Sequence, residues 1–89
     1  MLYPFLTAPD GTEISYSEVL CKGRQPEVRV YVEKWDDERR AFDSLELYLP
    51  TGRITKCEGF SEKEAQKNIN HIMHLQNVIW ESAEEEDGL

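Results

Sequence analysis

Two segments of the chain alternate strictly between apolar and polar residues, and this alternation constrains the fold more than any other feature. Residues 28–33 are Val-Arg-Val-Tyr-Val-Glu, and residues 44–49 are Ser-Leu-Glu-Leu-Tyr-Leu. Because successive side chains of a β-strand point to opposite faces, each segment places its valines or leucines on one face. The β-branched valines also favour extended backbone. Both segments are therefore predicted to be strands with one buried face.

Turn sequences separate these two strands from further predicted strands. Pro-Asp-Gly occupies residues 9–11, Pro-Thr-Gly occupies residues 50–52, and Gly23 with Pro26 marks a third turn. Proline restricts φ and glycine allows positive φ, which is why both are common in turns. The charged stretch 36–40 predicts an exposed hairpin loop. Additional strands are predicted over residues 2–7, 12–20 and 54–58. Short connections between consecutive strands predict an antiparallel meander of four or five strands.

The last third of the chain has the pattern of a helix. Ser61 and Glu64 form a capping box, in which each side chain accepts a hydrogen bond from the other residue's amide. Apolar residues then recur at steps of three and four: Ala65, Ile69, Ile72, Met73, Ile79, Trp80 and Ala83. One long helix over residues 62–83 would be about 33 Å in length, whereas the strands are about 20 to 23 Å. The predicted fold class is α+β, an antiparallel β-meander packed by one long C-terminal helix that crosses the sheet diagonally or extends beyond it.

The chain is acidic and short. It has 89 residues, with 18 Asp and Glu against 10 Lys and Arg and a formal net charge of −8. We expect a single domain over residues 1–83. Residues 84–89 begin with four acidic side chains, which are unfavourable at the negative end of a helix dipole, so we expect a disordered acidic tail. An acidic surface repels phosphate groups, so neither nucleic acid nor an anionic membrane is expected as a partner.

The amino terminus does not have the features of a secretory signal. It begins Met-Leu-Tyr-Pro-Phe-Leu, without a basic segment, and Pro4 interrupts the apolar run. We expect a cytoplasmic protein. Cys21 and Cys57 are too few for a disulfide framework, and we expect both to be reduced and buried.

Little in the sequence indicates catalysis or a bound cofactor. His71 and His74 are three residues apart on the predicted helix and could bind one metal ion if a third ligand joined them. We interpret them instead as partly exposed residues beside the apolar stripe. No motif combines a nucleophile with a base, and the sequence contains no glycine-rich phosphate loop. We therefore expect a protein that is not an enzyme and has no cofactor, metal ion included.

One face of the 28–33 strand and its continuation has the composition of a binding surface. Arg29, Tyr31 and Trp35 share this face, and these residue types often dominate the energy of protein interfaces. Further basic residues lie nearby in sequence: Lys22, Arg24, Arg39 and Arg40. The alternative is that Tyr31 and Trp35 cover a second, minor core.

The carboxyl half of the predicted helix suggests a second surface. If the helix extends past the sheet, its last turns expose Leu75, Val78, Ile79 and Trp80. Residues 68–80 contain no Lys, Arg, Asp or Glu, so two copies would not repel each other there. A homodimer through the helix, with Leu75, Val78 and Trp80 in contact, is therefore expected. The alternative is that residues 2–6 cover this patch within one chain and leave a monomer.

Part of the chain resembles a known family. The resemblance rests on Pro26 before the 28–33 strand, a second apolar strand ending in a glycine turn, Gly-Phe-Ser at residues 59–61, and Trp80. Over residues 23–80 the layout resembles short bacterial domains of unknown function that are often encoded beside toxin and antitoxin genes. That family typically has histidines just after the proline, at positions where this chain has Glu27 and Arg29, so no role of those histidines is carried over. The resemblance implies an accessory protein of a mobile element or toxin–antitoxin locus.

These features predict a small non-catalytic protein-interaction domain whose partner is unidentified. The alternative is an acidic inhibitor that occupies a basic nucleic-acid-binding or toxin cleft, because the net charge of −8 would favour such a partner. A third alternative is a small metal- or ligand-binding domain.

Overall fold

The computed structural model describes residues 1–21 and 25–86, and in it five strands form one antiparallel sheet with two helices packed on one face. The elements are β1 (Leu2–Thr7), β2 (Glu13–Ser17), β3 (Val28–Asp36), β4 (Ala41–Leu49), β5 (Arg53–Glu58), α1 (Glu62–His74) and α2 (Gln76–Glu86). Strand order in the sheet follows chain order, with each strand antiparallel to the next. The predicted α+β meander is confirmed, and it has five strands.

The hydrophobic core lies between the sheet and the helices. The alternating valines of β3 and leucines of β4 are all fully buried and face α1 and α2: Val28, Val30, Val32, Leu45, Leu47 and Leu49. Ile72 of α1 and Ile79 of α2 are buried against them. Burying one such side chain contributes about 1.5 to 3 kcal/mol, so this layer accounts for most of what holds the helices to the sheet.

The helical region begins as predicted but is not one long helix. The Glu64 amide donates to Ser61 Oγ over 3.1 Å and the Ser61 amide donates to Glu64 Oε1 over 3.2 Å, which confirms the capping box. Two helices follow, separated at Leu75, whose φ of −96° and ψ of 6° are not helical. Ile79 and Ala83 beyond this break are both fully buried. The second helix therefore packs on the sheet, and the prediction of one continuous helix is wrong.

The expected boundary between domain and tail falls inside α2. This helix continues through Glu86, and Tyr16 Oη on β2 donates to Glu86 Oε1 over 3.0 Å. Residues 87–89 lie outside the described part of the chain. Neither α1 nor α2 is long and apolar enough to cross a membrane.

Both cysteines are free and exposed, so the prediction that they are buried is wrong. Cys57 lies on β5, the last strand of the sheet, where all six residues are exposed. Its side chain points to the same face as Leu45, its partner on β4, but the helices do not extend far enough to cover it. The sequence pattern does not show how far the helices extend over an edge strand.

Candidate functional site

The helices cover one face of the sheet, and the opposite face has no covering element among residues 1–21 and 25–86. We call it the open sheet face. Its central side chains follow from the strand register: Arg29, Tyr31, Glu33 and Trp35 of β3, Phe42, Glu46 and Tyr48 of β4, and Arg53 and Lys56 of β5. Arg29, Tyr31 and Trp35, which the sequence predicted to share a face, do share it. No described strand or helix covers Tyr31 and Trp35, although the Lys56 side chain lies over the Tyr31 ring, and the core among the described residues does not include them. Their role in binding a partner stays a prediction.

An aromatic pair dominates one end of the open sheet face. Trp35 and Phe42 are directly opposite on β3 and β4, with ring centroids 5.0 Å apart and planes at 69°. Their exposed fractions are 46% and 56%, which is high for large apolar side chains. Trp35 Nε1 donates to Asp37 Oδ1 over 2.7 Å, so the indole ring is held in place. The pair is a rigid apolar surface available to a partner.

Phe42 was not predicted as a site residue, although the sequence contains a signal for it. The β3–β4 connection has four residues, 37–40, and Asp36 pairs with Ala41 across it. A hairpin of this length places Trp35 opposite Phe42. The loop length read together with the strand pattern would therefore have identified the pair.

The hairpin loop next to the aromatic pair is stabilised by hydrogen bonds to one aspartate. Asp36 Oδ1 accepts from the amides of Glu38 and Arg39, and Asp36 Oδ2 accepts from Arg39 Nε over 2.7 Å. The hydrogen bond from the Arg39 side chain is the main reason that the pKa of Asp36 is lowered. Arg39 also pairs with the buried carboxylate of Asp43 on β4. The loop thus has a defined shape that fixes the strands carrying Trp35 and Phe42.

Carboxylates surround the aromatic pair. Glu33 is two residues from Trp35 on the same face of β3, and Glu13 of β2 lies directly opposite Glu33. Glu58 of β5 lies opposite Ser44, the β4 partner of Glu33. Among the described residues, no ion pair involves Glu13, Glu33 or Glu58. This end of the face is therefore apolar at its centre and negative around it.

The basic residues at the other end are already engaged within the chain. Arg53 lies over the Tyr48 ring at 4.6 Å and pairs with Glu27 at 3.0 Å. Lys56 Nζ is 5.8 Å from the centroid of the Tyr31 ring. Glu27 therefore neutralises the charge of Arg53, whereas Lys56 contacts a neutral ring and keeps its charge.

Arg29, at the same end of the face, has weaker contacts within the chain than Arg53. Its nearest ion-pair contact is Glu46 at 4.0 Å, and its Nε is buried without a hydrogen bond in the described structure. Lys22 and Arg24, also expected in the basic cluster, lie outside the described residues. Among the described residues of this face, the charged groups without an ion pair are three carboxylates, Glu13, Glu33 and Glu58, and the ammonium of Lys56. Arg40 of the hairpin loop is also without an ion pair there.

The three helix residues expected at a dimer interface differ in exposure. Val78 is 51% exposed, whereas Leu75 and Trp80 are partly buried against the core. Tyr3, Phe5 and Leu6 of β1 pack against that same core and are also partly buried. Much of the expected apolar patch is thus covered within one chain, and a dimer through the helix stays a prediction.

The two histidines are both exposed. Within the described residues, no group of three His, Cys, Asp or Glu side chains could hold a metal ion. His71 lines a groove of about 330 Å³ between α1 and the β1–β2 turn, together with Lys67 and Asn68. Nothing else at this groove indicates a particular ligand.

Comparison of the chain with protein-family models, with curated proteins and with solved structures gives no match. The resemblance to short bacterial domains near toxin and antitoxin genes therefore rests on the residues that suggested it and stays an expectation.

Proposed function

We propose that this protein is a non-catalytic protein-interaction domain that binds its partner through the open sheet face. The observation that supports this most strongly is the exposed Trp35–Phe42 pair on a sheet face that no described element covers. Aromatic side chains provide large contact areas with few rotatable bonds, so their immobilisation in a complex costs little entropy. The hydrogen bond from Trp35 to Asp37 reduces that cost further because the ring is already held.

The partner that fits this surface has a basic rim around an apolar pocket. The pocket would receive the rings of Trp35 and Phe42, and the basic rim would meet Glu13, Glu33 and Glu58. The net charge of −8 would attract such a partner from a distance and raise its association rate at low salt. Carboxylates at the edge and aromatic rings at the centre follow the usual division between rim and hot spot.

A second candidate function follows from the same carboxylates. If the partner's basic rim is a nucleic-acid-binding or toxin cleft, this protein is an acidic inhibitor that competes with the nucleic acid or substrate. The arrangement of Glu33 and Glu58 around an apolar centre supports this alternative, and so does the resemblance to domains encoded near toxins. Competition distinguishes the two candidates, because only an inhibitor would be displaced by nucleic acid or substrate at the partner's site.

The test begins with affinity capture from an extract of the source cells, followed by titration of the purified partner. We expect Trp35→Ala to raise the dissociation constant about 30-fold. This corresponds to a loss of about 2 kcal/mol of binding free energy, which is typical of a hot-spot residue. Val78→Ala is the matched control, because Val78 is equally exposed at 51% but lies on α2. Equal affinity of wild type and Trp35→Ala for the captured partner would exclude the open sheet face as the binding site.

A further inference from the structure

We infer that β5 is a homodimer interface, at which two copies of this chain pair their β5 strands antiparallel and join their sheets. β5 is the last strand of the sheet, and all six of its residues are exposed. Within residues 1–21 and 25–86 no strand pairs with its outer edge, so that edge is open to a further strand. The opposite edge, β1, contains Pro4, which has no amide to donate. This inference does not depend on the proposed function.

The sequence of β5 is complementary to itself. It is Arg-Ile-Thr-Lys-Cys-Glu, and two copies can align antiparallel in full register. The opposed pairs across the twofold axis are then Arg53 with Glu58, Ile54 with Cys57, and Thr55 with Lys56. Opposite charges and apolar pairs stabilise antiparallel strands, whereas like charges in those positions destabilise them. A second copy of the same strand is therefore a chemically matched partner for this edge.

A β-bulge makes this register consistent. Directly opposite residues of an antiparallel pair must point to one face, but Arg53 and Glu58 of a regular strand would point to opposite faces. The pairing of β5 with β4 shifts between Glu46 and Leu47, so that Thr55 is an extra residue in β5. The extra residue brings Arg53 and Glu58 to the same face, where they lie opposite Tyr48 and Ser44 of β4.

Each face of the joined strands would gain a matched contact. On the open sheet face, Glu58 has no ion pair among the described residues and would meet Arg53 of the second copy. That Arg53 bonds Glu27 of its own chain through Nη2, so the contact with Glu58 would use its other nitrogens. On the helix face, Ile54 is 48% exposed and Cys57 is exposed, and these two would cover each other. The pairing thus removes exposed apolar surface from water in addition to completing the hydrogen bonds of the edge.

The side of α1 nearest β5 adds to the apolar surface. A Cβ placed on Gly52 in the β4–β5 turn would lie 3.4 Å from Met73 Sδ, which locates this side of α1 beside the edge. Ile69 lies one helical turn earlier on the same side, and both residues are partly buried. Pairing through β5 places the two α1 helices on the same face of the joined sheet, on either side of the twofold axis. The apolar sides of the two helices would then flank the Ile54 and Cys57 contacts.

The negative net charge is not concentrated at this edge. β5 has two basic residues and one acidic residue, although the whole chain has a charge of −8. The acidic end of α2 lies over β2, where Tyr16 bonds Glu86, and β2 is three strands away from β5. Joining the sheets would also place both open sheet faces on the same side and make one continuous surface.

Sedimentation equilibrium of the purified chain alone, over a hundredfold range of concentration, tests the inference. We expect the mass to rise from 10.4 kDa towards twice that value. Glu58→Arg would oppose two arginines and should weaken the dimer at least tenfold. The variant that combines Glu27→Gln, Arg53→Glu and Glu58→Arg restores opposite charges without placing two carboxylates together at position 27. It should recover the dimer, provided that circular dichroism shows an unchanged fold. A mass of 10.4 kDa at every concentration overturns the inference.

Disulfide trapping tests the register itself. In a Cys21→Ser background, Ile54→Cys places a new thiol opposite Cys57 of the second copy, at a spacing that permits a disulfide. Oxidation should give a covalent dimer. The matched control Ile54→Cys with Cys57→Ser should not cross-link, because two positions 54 are not opposite each other. A dimer that fails to cross-link in this register, or that is abolished by Val78→Glu and not by Glu58→Arg, would contradict pairing through β5.

Discussion

Two glycines of this protein have the same backbone conformation but different surroundings. Gly11 and Gly59 have φ values of +91° and +87°, in the left-handed region that other residues enter at a cost. Nothing lies within 4 Å of a Cβ placed on Gly11. A Cβ on Gly59 would collide with the Asp43 carboxylate, which pairs with Arg39 beneath the hairpin loop. Glycine is therefore needed at position 59 both for the backbone conformation and for the close packing against Asp43.

The comparison of alanine substitutions at the two glycines separates these roles. Gly11→Ala should cost about 1 to 2 kcal/mol of unfolding free energy, from backbone conformation alone. Gly59→Ala should cost about 2 to 4 kcal/mol, because the Asp43–Arg39 pair must also move. Urea denaturation measures both values. Equal losses of unfolding free energy at the two positions would show that the close approach of Gly59 to Asp43 does not contribute to stability.

At the scale of elements, Leu75 divides the helical region into two helices. The Leu75 amide donates to the carbonyls of both His71 and Ile72, which is typical of a tightened final turn. Beyond it, Ile79 and Ala83 are fully buried. A continuous helix was expected to cross the sheet diagonally or to extend beyond it, and Ile79 would be exposed in the second case. The observed α2 contributes both Ile79 and Ala83 to the core.

Substitutions at neighbouring positions of α2 check this packing. Ile79→Ala removes a fully buried side chain and should lower the unfolding free energy by about 2 to 5 kcal/mol. Val78→Ala removes a side chain that is 51% exposed and should change it by less than about 0.5 kcal/mol. Chemical denaturation of both variants provides the measurement. A small effect at Ile79 would mean that α2 contributes little to the core.

At the scale of the whole molecule, three carboxylates at one end of the structure each accept a hydrogen bond from a nearby residue. Asp10 in the β1–β2 turn accepts from the Thr12 amide, Asp36 accepts from Arg39, and Glu64 accepts from the Ser61 amide. These hydrogen bonds are the largest causes of a lowered pKa at all three groups. Lys34 also lies near Asp10 and Glu64. The turn, the hairpin loop and the helix start are thus each stabilised by an ionised carboxylate.

This arrangement predicts sensitivity to acid. A carboxyl whose pKa is lower in the folded than in the unfolded chain stabilises the fold above its unfolded pKa, and that contribution is lost as pH falls through the folded pKa. The ordinary values are 3.8 for Asp and 4.5 for Glu, so stability should begin to fall as the pH drops through this range and continue to fall below it. Urea titrations at a series of pH values measure the slope.

The variant Asp36→Asn should make this decline shallower, because one of the three groups no longer takes up a proton. Identical slopes for wild type and Asp36→Asn would contradict the role given to Asp36.

Local patterns were sufficient to predict the strands, their order and the start of the helical region. The alternation in residues 28–33 and 44–49 predicted β3 and β4 and their buried faces, because side-chain direction in a strand depends only on position along the chain. The capping box at Ser61 predicted the start of α1 for a similar reason, since its donors and acceptors are three residues apart. The shared face of Arg29, Tyr31 and Trp35 also followed from this periodicity.

Only the tertiary structure decided which surfaces remain open. Cys57 has the sequence environment of a buried residue, yet it is exposed because β5 lies at the edge, beyond the reach of the helices. The break at Leu75, which no proline or glycine marks, also became evident only in the fold. The sequence by itself thus determined the strands, the helix start and the face that each side chain takes. The assembled sheet and helices decided coverage, because the exposure of a side chain depends on segments that are distant in sequence and meet only in the fold.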